Sequence, residues 1–331
     1  MAGTPSKKRK HPGPRKQPPR GNPQKARESR DPRHIEKATF GDWVGAARLR
    51  TLPLAVTPIL IGTGAAMLVD GLFHWVLALL CLVVSVSLQI AVNFANDYSD
   101  GIRGTDDHRV GPARLTASKK ASPRAVLTAA LIFFAIAAAA GLALVIRSGQ
   151  WWLLLVGAAC IVAAWFYTGG RSPYGYRGLG EVYVFAFFGL LATLGTQYTQ
   201  ADAVSWFGVL GAVGVGAVAS AILVANNLRD IPTDTEHGKR TLAVRLGDRR
   251  TRQLYTALVA VSVVTLAGMA WWEPWVLLGL LALPLAVKGV RTVTSGTTGR
   301  ELVPVLAATG LYEVAYAVLA AVGVVIGVAL T

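Results

Sequence analysis

The chain has 331 residues, 53% of them hydrophobic and 15% charged, with 33 Lys+Arg against 18 Asp+Glu. A composition this apolar, with positive mean hydropathy, excludes a disordered polymer, and its long unbroken apolar runs exclude a soluble globule. Cys81 and Cys160, the two cysteines, both lie inside apolar runs, which excludes a disulfide framework and a cysteine-built zinc site.

Residues 1–37 carry twelve Lys/Arg against Glu28, Asp31 and Glu36, with seven prolines and few large apolar side chains. Such a segment cannot bury enough surface to offset its ordering entropy. Residues 1–39 are therefore expected to form a disordered, basic, Pro-rich cytoplasmic tail. It would fix orientation and touch anionic lipid rather than bind nucleic acid. No short apolar region with a small-residue cleavage site follows, so no cleavable signal is expected.

A membrane-spanning helix needs ~20 mostly apolar residues. In chain order the runs are Thr51–Val69, Leu72–Val92, Ala125–Ile146, Trp151–Thr168, Leu179–Tyr198, Val204–Ala225, Leu254–Trp272, Trp275–Val287 and Leu302–Leu330. They are continuous rather than alternating, which is the helical pattern. Residues 40–331 are thus expected to be an all-α integral membrane bundle of nine transmembrane helices. The eighth run is short and relies on snorkelling by Lys288, and the ninth is long enough to tilt. With nine crossings, 32 of the 33 Lys/Arg fall on the side of the tail and Arg147 alone falls on the other. That asymmetry predicts a cytoplasmic N-terminus and a C-terminus on the opposite side. The glycines at 62, 64, 208, 211, 214 and 216 are expected to be helix-packing contacts.

Two polar clusters interrupt this pattern, both on the predicted cytoplasmic side. The first runs Asn93-Phe94-Ala95-Asn96-Asp97-Tyr98-Ser99-Asp100 and continues to Asp106 and Asp107; the second runs Asn226-Asn227-Leu228-Arg229-Asp230-Ile231-Pro232-Thr233-Asp234. Asn93 and Asp97, Asn96 and Asp100, and Asn226, Asp230 and Asp234 are spaced by four. If the helices continue, each set shares a face. Pro232 is expected to kink or end its helix. Carboxylates this close repel unless a hard cation joins them, and Mg²⁺ takes such oxygen ligands together with water and substrate phosphate. Interleaved Arg103, Arg109, Arg114, Lys119, Lys120, Arg229, Lys239, Arg240 and Arg245 suit a phosphate leaving group. No nucleotide-binding G-x-x-x-x-G-K-[ST] loop occurs, nor H-E-x-x-H or G-x-S-x-G.

Asn96-Asp97-x-x-Asp100, a further Asp, and Asp230-x-x-x-Asp234 resemble the paired aspartate-rich motifs of the UbiA superfamily of intramembrane prenyltransferases. Four further stretches are Ala47-Arg48-Leu49-Arg50-Thr51-Leu52-Pro53, Gly111-Pro112-Ala113-Arg114, Tyr174-Gly-Tyr-Arg-Gly-Leu-Gly-Glu181 and Gly238-Lys-Arg-Thr-Leu-Ala-Val-Arg245. With Asn96–Asp106, they are similar to the 1,4-dihydroxy-2-naphthoate prenyltransferase branch, which makes demethylmenaquinone. The departure is the spacing from Asp100 to Asp106, which leaves Asp106 or Asp107 as the third ligand.

The resemblance implies a nine-helix bundle with a cytoplasmic-facing active site in the cell membrane. It implies two or three Mg²⁺ held by Asn93, Asn96, Asp97, Asp100, Asp106, Asp230 and Asp234, with Asp97, Asp100, Asp230 and Asp234 catalytic. Arg48, Arg103, Arg114, Lys119, Asn226, Lys239 and Arg240 are expected to contact diphosphate or acceptor. The allylic cation formed when the prenyl diphosphate ionises would be shielded by Tyr167, Tyr174 and Tyr176, with Trp165 and Phe166 close by in sequence. The prenyl chain would lie in a lateral, lipid-facing groove. Glu181 and Glu313, costly in lipid, are either site residues or packing locks. Related enzymes using 4-hydroxybenzoate, homogentisate or haem would share these clusters. A secondary transporter would instead place its acids at the bilayer midplane.

Overall fold

The structure, a computed structural model, describes residues 37–104, 114–170 and 173–330. The basic tail, Asp106, Asp107 and Arg109 lie outside the described residues. Ala38–Thr331 forms one compact unit.

The described chain is helical throughout, and the helix ends follow local chemistry. Helix α1 (Phe40–Ala46) starts at a reciprocal cap in which Thr39 Oγ1 accepts from Asp42 N and Thr39 N donates to the Asp42 carboxylate. Helix α2 (Pro53–Asp70) has proline in its first turn and ends on left-handed Gly71. Helix α3 (Trp75–Arg103) ends on Gly104, and α4 (Pro123–Ser148) is capped by Ser122 and stopped by Gly149. Then come α5 (Leu153–Phe166), α6 (Gly180–Ala201), α7 (Trp206–Glu236) and α8 (Leu242–Met269). A 3-10 stretch at Pro274–Ala282 leads into α9 (Leu283–Thr294), and α10 (Val303–Leu330) closes the bundle. Helix α6 contains a π-helical segment, Phe185–Leu191, and α8 is broken at Gly247, whose φ is 74°.

Among the described residues, eight helical segments are long and apolar enough to cross a membrane, so this is a multi-pass membrane protein. The segment expected at Trp151–Thr168 is the exception. Helix α5 has 14 residues, about 21 Å of rise against a hydrocarbon thickness of about 30 Å. Two polar helix ends also run further than the apolar pattern indicated. Helix α3 continues eleven residues past Val92, and α7 continues through Pro232 to Glu236 rather than stopping there. The missing proline N–H costs one bond, but the turn is held by side chains: Thr233 Oγ1 donates to Asp230 O and Thr235 Oγ1 to Ile231 O.

Two apolar cores result. The larger joins α2, α7, α8, α9 and α10; the smaller joins α1, α3, α4 and the Leu115 loop. Glycines set the closest approaches. A Cβ on Gly62 would lie 2.4 Å from Thr193 O, and one on Gly216 would lie 3.0 Å from Gly189 Cα in the π-helical segment. Gly62→Val should therefore cost about 1–3 kcal/mol by overpacking. The measurement is the thermal aggregation midpoint in detergent, which should fall relative to wild type.

Candidate active site

Helices α3, α4, α5, α6 and α7 line a cavity of ≈ 670 Å³. Its polar end is lined by Asn93, Asn96 and Asp100 from α3 and by Asn226, Asn227, Asp230, Thr233 and Asp234 from α7. The polar clusters, 130 residues apart from Asn96 to Asn226, therefore face one space. Arg48, Arg114, Lys239 and His237 join them, as do Tyr167, Tyr174 and Tyr176. The rest of the wall is mostly apolar and includes Val145, Leu153 and Leu191. The cavity thus pairs an oxygen- and cation-rich head with a long hydrocarbon-like body.

The carboxylates at the head are held by cations and hydroxyls. Tyr176 Oη donates to Asp100 Oδ1, and Arg114 Nη2 lies 3.4 Å from Asp100 Oδ2. Arg229 grips Asp230 through two bonds of 2.6 Å and reaches Asn226 Oδ1 at 3.0 Å. Thr168 Oγ1 donates to Asn96 Oδ1. The Tyr174–Arg177 turn links the clusters. Below the Tyr176–Asp100 bond, the Tyr176 carbonyl accepts from Arg240 N at 3.1 Å, and Lys239 Nζ sits 4.5 Å from the Tyr176 ring centre.

Arg48 owes its place to its left-handed backbone, φ 54°. The following turn is pinned by Thr51 Oγ1, which donates to Arg48 O and accepts from Gln89 Nε2 and Asn93 Nδ2 at 2.8 and 3.0 Å. Tyrosines continue along the wall: Tyr167 meets Tyr174 edge-on at 5.5 Å, Tyr174 stacks on Tyr183 at 3.9 Å, and Tyr183 stacks on Phe187 at 5.9 Å. Burial, then its neighbours Tyr167 and Tyr183, push the Tyr174 phenol up from its ordinary value. It stays neutral and donates to Ala163 O at 2.8 Å. On α1, hydrogen bonds from Lys120 and then Thr39 hold the Asp42 carboxyl down at about 2.

Several expected site residues stand elsewhere. Asp97 is 1% exposed and does not line the cavity; its two oxygens accept from Leu115 N and Thr116 N, each at 2.9 Å. It anchors the returning loop. Arg103 bonds the Thr168 and Gly170 carbonyls and lies 6.0 Å from the Tyr176 ring centre, behind the wall. Lys119 and Arg240 are exposed and do not line the cavity. Glu181 accepts from Asn227 Nδ2 at 2.8 Å from outside the cavity, and Glu313, fully buried, accepts from Thr57 Oγ1 at 2.9 Å. Glu313 therefore ties α10 to α2. The residues added by the structure are Thr51, Gln89, Asn227, Thr168 and Tyr183. Gln89 carried a signal, a polar side chain inside an apolar run, whereas nothing local distinguished Thr168.

The donor set at the head is carboxylate, carboxamide and hydroxyl oxygen, which fits a hard divalent cation. No three His, Cys, Asp or Glu side chains are gathered closely enough to hold one alone among the described residues. Mg²⁺ keeps waters and takes substrate phosphate as ligands, so it does not need a closed protein cage.

A membrane bundle whose cavity joins a head of carboxylates, carboxamides and cations to a long apolar body suits an amphipathic substrate with a phosphorylated end. Residues 55–301 match the UbiA prenyltransferase family, and the chain belongs to it. It is 54% identical over 280 residues to the 1,4-dihydroxy-2-naphthoate octaprenyltransferase of Mycobacterium tuberculosis, covering 85% of this chain and 95% of that one. The protein of the same name from Escherichia coli is 37% identical over 272 residues, covering 80% and 86%. Among solved structures, a UbiA homolog from Aeropyrum pernix has a TM-score of 0.65 at 17% identity, covering 84% of this chain and 98% of that one. A UbiA homolog from Archaeoglobus fulgidus bound to GPP and Mg²⁺ has a TM-score of 0.64 at 14% identity, covering 86% and 99%. These structural likenesses concern the fold.

Proposed function

We propose that this protein transfers a polyprenyl group from its diphosphate to 1,4-dihydroxy-2-naphthoate, releasing diphosphate and carbon dioxide and building the demethylmenaquinone skeleton. The observation that carries this is the convergence of the two Asn/Asp clusters on one cavity that continues into an apolar body. The 54% identity to the mycobacterial enzyme supports the naphthoate acceptor. Asp100, Asp230, Asp234, Asn96 and Asn226 would hold two or three Mg²⁺. When bound, these ions supply electrostatic stabilisation to the departing diphosphate.

The chain's own residues do the rest. Arg48, Arg114 and Lys239 bind diphosphate oxygens, and Tyr176 orients Asp100. The Tyr167–Tyr174–Tyr183–Phe187 column lines the path of the allylic cation with aromatic rings and keeps water away. The apolar wall between α3, α4, α5 and α6 is the berth of the prenyl chain, open laterally to lipid. Counting α5 as a short span gives nine crossings. The Lys/Arg asymmetry then places the N-terminus and the active site in the cytoplasm and the C-terminus outside. We assign the protein to the plasma membrane, with residues 1–39 as a basic cytoplasmic tail.

The test is an assay of membranes expressing the protein, with labelled polyprenyl diphosphate and a panel of aromatic acceptors. Prenylated naphthoquinone of the expected mass should form with 1,4-dihydroxy-2-naphthoate, stop with EDTA and return with Mg²⁺. Product from 4-hydroxybenzoate alone, or transfer indifferent to EDTA, would overturn the proposal.

A further inference from the structure

One buried carboxyl group stands behind the second cluster and touches none of the cavity. Glu181, in the first turn of α6, is 6% exposed. Its Oε1 accepts from Asn227 Nδ2 at 2.8 Å, and its Oε2 has no hydrogen-bond partner among the described residues. A buried carboxyl with one oxygen unmatched costs stability; Glu313 is half-matched in the same way, but the partner of Glu181 lines the cavity and that of Glu313 does not. Its backbone is itself pinned, since Ser220 Oγ donates to Glu181 O at 3.1 Å and locks the start of α6 onto α7.

The consequence falls on Asn227, which does line the cavity. A carboxamide has one donor end and one acceptor end. With Nδ2 committed to Glu181, Oδ1 is turned toward Asn226, whose Nδ2 lies 3.5 Å from it and 3.4 Å from Asp230 Oδ2. Asn226 Oδ1 in turn accepts from Arg229 Nη2 at 3.0 Å. The amides are therefore set in one sense, starting from Glu181. Remove that acceptor and Asn227 can turn over, which brings its NH₂ against the NH₂ of Asn226.

We propose that Glu181 is a positioning residue: acting from α6, it fixes the amide of Asn227 and thereby the oxygen donors that the second cluster offers to metal and diphosphate. The inference rests on the proposed function for what the head of the cavity holds. Groups that orient metal-binding side chains typically change affinity by about 10–100-fold when removed.

The experiment uses purified full-length protein in detergent. It reads Mn²⁺ affinity by electron paramagnetic resonance with inorganic diphosphate present, alongside the KM for polyprenyl diphosphate. Glu181→Leu should weaken Mn²⁺ binding and raise that KM by about 10–100-fold. Glu181→Gln, which keeps an accepting oxygen, should restore most of both. The Glu181→Leu/Asn227→Ala double variant should be no worse than Asn227→Ala alone, because the two side chains act in series. Wild-type affinity in Glu181→Leu, or single effects that multiply in the double variant, would overturn the inference.

Should the leucine variant fail to fold, Asn227→Asp serves, measured with Glu181 and with Glu181→Gln. Mn²⁺ should bind more tightly in the second background, where two carboxylates no longer face each other, and equal binding would overturn the inference. A wild-type protein that binds no Mn²⁺ with diphosphate overturns both proposals. One that binds it but does not prenylate 1,4-dihydroxy-2-naphthoate overturns only the acceptor, leaving the Mn²⁺ series to decide on Glu181.

Discussion

Asp100→Asn and Asp230→Asn should each cut prenyl transfer by at least about 10²–10³-fold while the protein stays folded. Both carboxylates line the head of the cavity, on α3 and α7 respectively. Asparagine keeps the shape and one accepting oxygen, so Tyr176 can still donate at position 100 and Arg229 at position 230. What is lost is a unit of negative charge in the site where metal would be held, and charge stabilisation of a departing anion is worth several kcal/mol in a water-excluded site. The measurement is initial rate at saturating Mg²⁺, paired with the thermal midpoint. An unchanged rate in either variant would remove that carboxylate from the site.

Asp97→Ala should fail in the opposite way, through the fold. Its two oxygens satisfy the backbone N–H groups of Leu115 and Thr116 in a place where Asp97 is 1% exposed. Bonds to a charged acceptor are worth roughly 1.5–3 kcal/mol each, and truncation orphans both donors. The expected loss is roughly 3–5 kcal/mol, comparable to the whole stability of a marginal protein. Poor membrane yield and a sharply lowered thermal midpoint should follow. Asp97→Asn, with one oxygen left and an NH₂ facing a donor, should fall between. If Asp97→Ala instead kept its thermal midpoint and lost only metal binding, Asp97 would be a ligand and not an anchor. The contrast between neighbouring Asp97 and Asp100 separates the two roles within a single turn of helix.

The polar helix ends were legible in part. Four-residue spacing placed Asn96 and Asp100 on one face, and the structure carries α3 to Arg103 so that they share it. Spacing could not tell Asp97 from Asp100, because both are buried and only the returning loop at Leu115 distinguishes their partners. Glu181 and Glu313 were visible as expensive acids within apolar runs. Their partners, Asn227 and Thr57, lie 46 and 256 residues away in the chain. Run length and helix length differ at two places: the helix of the apolar run ending at Val92 continues past it, since a polar turn facing a cavity needs no lipid-compatible surface, and α5 is shorter than its run of apolar residues.

The amino-acid sequence by itself determined that the chain enters a membrane as helices and that its oxygen-rich patches sit at helix ends. Those properties are local, written in hydrophobic run length and four-residue spacing. It also carried the family, because the aspartate-rich motifs are contiguous. Tertiary structure alone decided which carboxylates face the cavity, which one anchors a loop, and how Tyr176 joins the clusters. Each of those outcomes depends on hydrogen-bond partners supplied by distant segments, and a buried polar group takes its role from whatever satisfies it.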